Sequence, residues 1–455
     1  MWRTENWREE LPALLRLAGP LIVNNLSIAG MQFADAVMAG RLGAESLAAV
    51  AVGGSVWFFG FAFALGIMMA LSPIAARHFG AGNLDLIGRY TRQGIYLGII
   101  FGVFLIVLAR LTVEPALANI GIDPGFRDLT VGYVYAIVPG APAIFIFLAL
   151  RFTTEGIGLT RPIMYASILS LVCNVFLNYV LMFGHFGAPA LGAVGCGLAS
   201  AITMWVIMFA LLIYMLLKRV YKPLKIFSRV SPLRLPTLRE ILVLGVPIAI
   251  TITAEAGLFN AVSILMGTRG AAIAAAHQIS INFAATMFMI PLALSSAITV
   301  RVGHALGAGN ARAARFSGSL GILACAAFMT VSATFLLVFR DAVVTMYTND
   351  TSVSSIAITL LLMAAIFQVA DGMQIGAAGA LRGFKDTRIP MGINIFAYWV
   401  VAFPLAYLAA VTYKSPPSYV WGGFVAGLSL AAALLTWRFA RVSRDELEKE
   451  AVQPP

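Results

Sequence analysis

Twelve stretches of 20 or more mostly apolar residues follow one another along this 455-residue chain, and that pattern leaves little choice of fold. They run over 11–38, 47–76, 92–113, 129–150, 161–183, 192–217, 238–266, 275–300, 315–339, 353–381, 389–412 and 418–437. An α-helix needs about 20 apolar residues to cross a hydrocarbon layer of about 30 Å. Inside that layer every backbone N–H and C=O must find its partner within the protein, so each run is expected to be a helix. Only 11% of the residues are charged and 60% are hydrophobic, far from the balance of a soluble domain, where about 25% are charged. The expectation is an all-α integral membrane protein of twelve transmembrane helices. The first run continues well past the length of a signal-peptide core and is expected to stay as the first span.

The runs are duplicated. Sliding the sequence on itself by 227 residues pairs Pro20 with Pro247, Gly40 with Gly267, Gly43 with Gly270, and GAGN at Gly80 to Asn83 with GAGN at Gly307 to Asn310. The same register, without a gap, pairs Thr160 and Arg161 with Thr387 and Arg388. Each half holds six spans, an even number, so both halves enter the membrane in the same sense. Two six-helix bundles related by a pseudo-two-fold along the membrane normal are expected, with a cavity between them near the midplane, the recipe for alternating access. The halves are drawn at 1–217 and 238–455, joined by a basic linker at 218–237 that contains three prolines.

Lys and Arg fix the orientation. Eighteen lie in the loops that follow even-numbered spans and six in those that follow odd-numbered ones. The positive-inside rule then puts both termini in the cytoplasm, in a cell inner (plasma) membrane. The net charge of +11 is spent on topology and on contact with the lipid bilayer, so no nucleic-acid partner is inferred. Cys173, Cys196 and Cys325 lie inside apolar runs without the spacing of a metal site or a disulfide framework, and are read as small core residues.

Of the twenty acidic residues, seventeen are read as lying in loops, tails or span ends, and three as lying inside spans: Asp35, Glu255 and Asp371. A carboxylate at the bilayer centre costs about 2.5 to 3.5 kcal/mol on insertion scales and is kept only where it faces protein or a wet cavity. At the repeat offset Asp35 faces Val262, Glu255 faces Ile28 and Asp371 faces Ile144, so the scaffold is duplicated but the acids are not. That asymmetry suits a site rather than architecture. Each acid could be a counter-ion for an organic cation, a hard oxygen ligand for a metal cation, or a proton carrier. His277 on the eighth span, Asn282 beside it, and Asn174 and Asn178 one turn apart on the fifth are candidate polar lining of a cavity, with helix packing as the simpler reading of the asparagines. Asn394 is read in the same way. Aromatic and methionine runs at 57–63 and 286–291 suit flat apolar cations.

Several strings together, AGRLGAESLAAVAVG, AARHFGAGN, AAHQISIN, FMIPLALSSAITVRVGHALGAGN and FQVADGMQIGAAGALRGFKDT, make the chain resemble the multidrug and toxic compound extrusion (MATE) family, in its NorM-type branch, over essentially its full length. The resemblance implies a pair of six-helix bundles and cation-coupled efflux of lipophilic, mostly cationic drugs. It implies that Glu255 and Asp371 bind the coupling ion, as Na+ ligands if sodium is that ion, and that Asp35 forms a proton or substrate site in the first half. The family it resembles includes both sodium and proton users, so the ion stays open between Na+ and H+. No cofactor is expected, and the chain is expected to work as a monomer on small-molecule organic cations. A lipid-linked precursor flippase would call for a cationic cavity, and the interior charges read here are acidic. An intramembrane enzyme is disfavoured, since no HExxH pair and no convincing nucleophile with its base stand in the spans.

Overall fold

A computed structural model describes residues 6–119, 124–228 and 232–452. The first five residues of the head, Arg229 of the basic linker and the last three residues of the tail lie outside the described residues. Among the described residues all regular structure is helical, and twelve helices are long and apolar enough to cross a membrane. They are α1 (Trp7–Leu42), α2 (Ala44–Gly80), α3 (Leu84–Asn119), α4 (Gly125–Gly156), α5 (Arg161–Phe183), α6 (Gly192–Leu217), α7 (Leu235–Gly267), α8 (Ala271–Gly307), α9 (Ala311–Tyr347), α10 (Thr351–Gly383), α11 (Arg388–Thr412) and α12 (Pro417–Ala451).

Each expected span is matched by one helix, and most helices are longer than the apolar run that announced them. Hydropathy stops at the first charged residue, whereas the i to i−4 hydrogen bonds continue through charged ends at the interface. This corrects the count of interior charges. Glu155, read as lying beyond a span end, is on α4 and 1% exposed, and Glu10 of the head is on α1 and equally buried. Arg151 and Arg301, read as loop cations, are helical and enclosed, their side chains 13% and 9% exposed.

The chain divides into two compact units. One, here the N-terminal unit, gathers residues 20–79 and 83–249. Its core is built on Ile67, Phe145, Phe147 and Leu150, with a second cluster around Val134 and Ile137. The other, the C-terminal unit, takes residues 250–452 together with 6–19 and 80–82. Trp421, Phe424, Phe367 and Leu360 fill one of its cores, and Leu294, Ile298, Val302 and Leu14 another. Two helices are divided at length between the units, α1 between Gly19 and Pro20 and α7 between Ala249 and Ile250, just after Pro247, while α2 gives only its last residue, Gly80, to the C-terminal unit.

The duplication is visible in the backbone. Gly43 and Gly270 have φ of 120° and 121°, and Gly82 and Gly309 have φ of 73° and 72°. These pairs stand at the repeat offset, and a positive φ is what selects glycine at such turns. The same left-handed step recurs at Gly158 and Lys385, each donating its N–H back to the carbonyl three residues earlier, Glu155 at 2.8 Å and Arg382 at 2.9 Å. Prolines explain the local breaks. Pro73 has no N–H for the Met69 carbonyl, and α2 is interrupted there, between Met69 and Leu71. Pro404 does the same to Val400 in α11, where Phe396–Ala402 widens into a π-helix.

α10 is the central helix of the C-terminal unit, packed on α8, α9 and α12. Gly372, Gly376, Gly379 and Gly383 form a stripe on it. A Cβ at Gly376 would sit 3.1 Å from Ile322 Cα, and one at Gly379 only 2.5 Å from the Ser295 carbonyl oxygen. At this approach Ser295 Oγ donates to the Ile375 carbonyl at 2.6 Å and Thr299 Oγ1 to that of Gly379 at 2.7 Å. Small residues with short hydroxyls are how helices approach closely in lipid. The stripe begins immediately after Asp371 and fixes the rotation of the helix that carries it.

Candidate ion and substrate site

In the C-terminal unit, α10 presents Gln368, Asp371 and Gln374 at three-residue spacing, which places them along one face. All three are buried, at 0%, 5% and 1% exposure. Gln374 Nε2 donates to the Tyr398 hydroxyl at 2.7 Å, which ties this face to the π-helical part of α11. Asn394, one turn before Tyr398, is fully buried. Glu255 on α7 and Asp371 are close enough for their charges to interact, and the Tyr398 hydroxyl lies in the field of both. Arg382, near the C-terminal end of α10, acts electrostatically on Glu255 and donates to Ser295 Oγ at 2.7 Å. Trp399, next to Tyr398, donates its indole N–H to the Ala254 carbonyl at 3.1 Å and so holds α7 against α11 at the residue preceding Glu255.

Within this cluster Asp371 Oδ1, Gln374 Oε1, both polar atoms of Gln368 and both of Asn394 are buried without a hydrogen-bond partner among the described residues. Buried polar groups are otherwise nearly always paired, because an unmatched one costs about 1–3 kcal/mol. Three of these atoms are amide oxygens and a fourth is an oxygen of the Asp371 carboxylate itself. Their chemistry fits a small hard cation, or a proton shared with a carboxylate.

The N-terminal unit holds a second carboxylate in a different setting. Asn178 Nδ2 on α5 donates to Asp35 Oδ1 on α1 at 2.5 Å and to Asn174 Oδ1 at 3.1 Å. Asn174 Nδ2 continues to Ser200 Oγ on α6 at 3.3 Å. The Cys196 thiol lies near the same Asp35 carboxyl, and Tyr133 lies within its field. Both asparagines and Cys196 are fully buried, and Asn178 Oδ1 is unpartnered among the described residues. Three helices thus converge on Asp35. Neither Arg41 nor a loop donor is needed to account for it.

The sequence profile of the MatE family matches residues 20–180 and again residues 247–408. The chain belongs to the MatE family. The two matches begin at Pro20 and Pro247, the pair that heads the internal repeat. The multidrug resistance protein PmpM of Pseudomonas aeruginosa is 38% identical over 441 residues, which cover 96% of this chain and 92% of that protein. The multidrug resistance protein NorM of Vibrio vulnificus is 34% identical over 97% of this chain and 98% of its own. Among solved structures, the eukaryotic MATE transporter AtDTX14 superposes with a TM-score of 0.87 at 22% identity, covering 98% and 99% of the two chains. An outward-facing multidrug resistance MATE family transporter of the MOP superfamily gives 0.86 at 20% identity, covering 95% and 96%. This MatE chain is a multi-pass membrane transporter and not an enzyme.

The remaining candidates separate in this MatE protein. His277 on α8 is 1% exposed; its Nδ1 accepts from the Trp421 indole at 3.1 Å and its Nε2 pairs with Ser263 Oγ at 3.0 Å. Asn282 is exposed and accepts from the Tyr347 hydroxyl at 3.0 Å, at the far end of α9. Sequence reasoning missed Gln368, Gln374 and Tyr398. The polar residues at three-residue spacing around Asp371 were the available signal for the first two; Tyr398 comes from another helix and left none.

Proposed function

We propose that this protein exports lipophilic organic cations across a cell inner membrane in exchange for entering Na+ or H+, with the coupling ion held at Glu255 and Asp371. The observation that carries this reading is the pair of interacting carboxylates in the C-terminal unit, set among buried oxygens that have no protein partner. The names of the relatives, multidrug resistance proteins, support the efflux direction and the breadth of substrates.

In this reading the repeat halves, 1–217 and 238–455, work as two lobes joined by the linker 218–237, with both termini in the cytoplasm and a single chain as the working unit. Asp371 and Glu255 supply negative charge, and Gln368, Gln374 and Asn394 supply neutral oxygens, so a bound cation and a cationic substrate compete for one field. Each ligand shifts the conformational equilibrium only through its differential affinity for the inward-open and outward-open states. Moving one positive charge outward against 100 mV, inside negative, costs about 2.3 kcal/mol, and one monovalent cation moving inward offsets it. Asp35, held by Asn178, is assigned to a separate proton or substrate site in the N-terminal unit.

The test is efflux of a fluorescent organic cation from proteoliposomes under an imposed sodium or pH gradient. Wild-type protein is expected to respond to one of the two gradients and the Glu255→Gln protein to neither, while remaining inserted. Undiminished gradient-driven efflux by Glu255→Gln would sink the assignment of the ion site; no response of wild type to either gradient would sink antiport itself.

A further inference from the structure

α1 and α7 are the helices divided at length between the units, and they also carry Asp35 and Glu255. The head of each is fastened by a carboxylate. Glu10, 1% exposed, accepts from Arg301 Nε on α8 at 2.7 Å, also from Arg301 Nη2, and from Ser317 Oγ on α9 at 2.6 Å. All three belong to the C-terminal unit, whereas Asp35, further along the same helix, belongs to the N-terminal unit. In α7 the arrangement is reversed. Glu240 accepts from the Tyr90 hydroxyl on α3 inside the N-terminal unit, and Glu255, four turns later, lies in the C-terminal unit. The two hydroxyl donors, Tyr90 and Ser317, stand at the same place in the 227-residue repeat. The acids do not, since Glu240 pairs with Ala13 at that offset and Glu10 with Thr237. Each half has arrived at a carboxylate on the head of its first helix, taken by a hydroxyl at one equivalent position of its third.

We infer that Glu10 and Glu240 are positioning residues for coupled transport: they fasten the heads of α1 and α7, the helices that carry Asp35 and Glu255, and so set how those two helices answer a change of state at either carboxylate. This rests on the antiport reading above. Each helix has a proline where it changes unit, Pro20 in α1 and Pro247 in α7, and the missing N–H weakens the helix at that point; a head held by its carboxylate gives this point a fixed end, and a released head does not. The fork between Arg301 and Glu10 is the stronger of the two fasteners, because a bidentate guanidinium pair fixes orientation as well as distance. Neither fastener touches the ion or substrate groups described above, so its loss acts on the rate of conversion between states and leaves the affinity of each site in place.

The experiment compares four variants, Glu10→Gln, Ser317→Ala, Glu240→Gln and Tyr90→Phe, with the charge-exchanged pair Glu10→Arg with Arg301→Glu. Binding of the fluorescent cation to purified protein and gradient-driven efflux from proteoliposomes are both measured. Tyr90→Phe and Ser317→Ala remove one hydroxyl each and keep the packing, so they report even where the carboxylate variants fail to insert. The expected result is near-wild-type binding with a maximal efflux rate lowered about ten-fold in the carboxylate variants and less in the hydroxyl ones, with partial recovery in the charge-exchanged pair. Efflux at the wild-type rate in Tyr90→Phe and Glu10→Gln overturns the inference, as does loss of binding in parallel with loss of rate. The two readings fail separately: wild type that ignores both ion gradients defeats antiport, whereas responsive wild type with unaffected variants defeats only the fasteners.

Discussion

The indole N–H of Trp421 donates to Nδ1 of His277 at 3.1 Å. Indole nitrogen is a donor only, so this ring nitrogen must keep its lone pair and the imidazole proton sits on Nε2, donating to Ser263 Oγ at 3.0 Å. A second proton would have to enter on Nδ1, against an N–H that points at it. His277 is thereby held as a neutral bridge between α7, α8 and α12 rather than as a proton relay. The expected outcome for His277→Ala is a loss of about 1–3 kcal/mol, from two partners left unmatched, with the pH profile of the remaining efflux unmoved. Thermal unfolding and efflux across a pH series check the two halves of this statement; a displaced pH profile would return His277 to the proton path.

Asp35 offers a contrast, since its donor is the Asn178 amide, which an asparagine could also satisfy. Replacing it by Asn keeps an acceptor for Asn178 Nδ2 and removes only the charge. The Asp35→Asn protein is expected to insert and to unfold near the wild-type temperature while its gradient-driven efflux falls. Asn178→Ala should do the opposite in part: it strips Asp35 and Asn174 of one hydrogen bond each, at a cost of about 1–3 kcal/mol. Equal loss of stability in both variants would make Asp35 an architectural group.

Much of this architecture could be read from the chain because two of its causes are local. Lipid forces helices wherever about 20 apolar residues run together, and a turn that needs positive φ favours glycine, which is why Gly43 with Gly270 and Gly82 with Gly309 betrayed the duplication although Lys385 replaces Gly158. Partnership is not local. Arg301 resembled a topology-setting loop cation because its partner Glu10 lies some 290 residues earlier in a charged head. Asn178 gave no sign of serving Asp35, 143 positions away, rather than packing. Helix ends were extended past the apolar runs by residues whose charge is paid out at the interface or in buried pairs, and hydropathy alone cannot distinguish those cases.

The stripe that sets α10 gives a prediction linking packing to the site. Gly379→Val would place its Cβ 2.5 Å from the Ser295 carbonyl oxygen, a backbone atom that cannot rotate away. α8 and α10 must then separate, breaking the bonds of Ser295 to Ile375 and of Thr299 to Gly379. A destabilisation of at least about 3 kcal/mol is expected, above the range of ordinary overpacking because the obstruction is main chain. Since α10 carries Asp371, any protein that does insert should bind the coupling ion more weakly. Gly392→Ala on α11, where a Cβ meets nothing within 4 Å, is the control and should change neither property.

The loop entering α10 yields a pH effect whose sign is fixed by geometry. Asp350 is the N-cap of this helix: its Oδ1 accepts from the Ser352 N–H at 2.8 Å and from Ser352 Oγ at 2.6 Å. These bonds favour the ionised carboxylate and hold Asp350 below the usual carboxylate range. A group depressed in the folded state contributes its stability above the pKa of the unfolded chain, and loses it as pH falls through the lower, folded value. The first turn of α10 should therefore stay protected at neutral pH and fray only in acid, while Asp350→Ala frays it at every pH. Asp350→Asn keeps an acceptor and loses the charge, so it should protect the turn without the acid transition. Amide hydrogen exchange of Ser354, whose N–H bonds to the Asp350 carbonyl at 2.9 Å, reads the difference directly; an acid transition that persists in Asp350→Asn would assign it to another group.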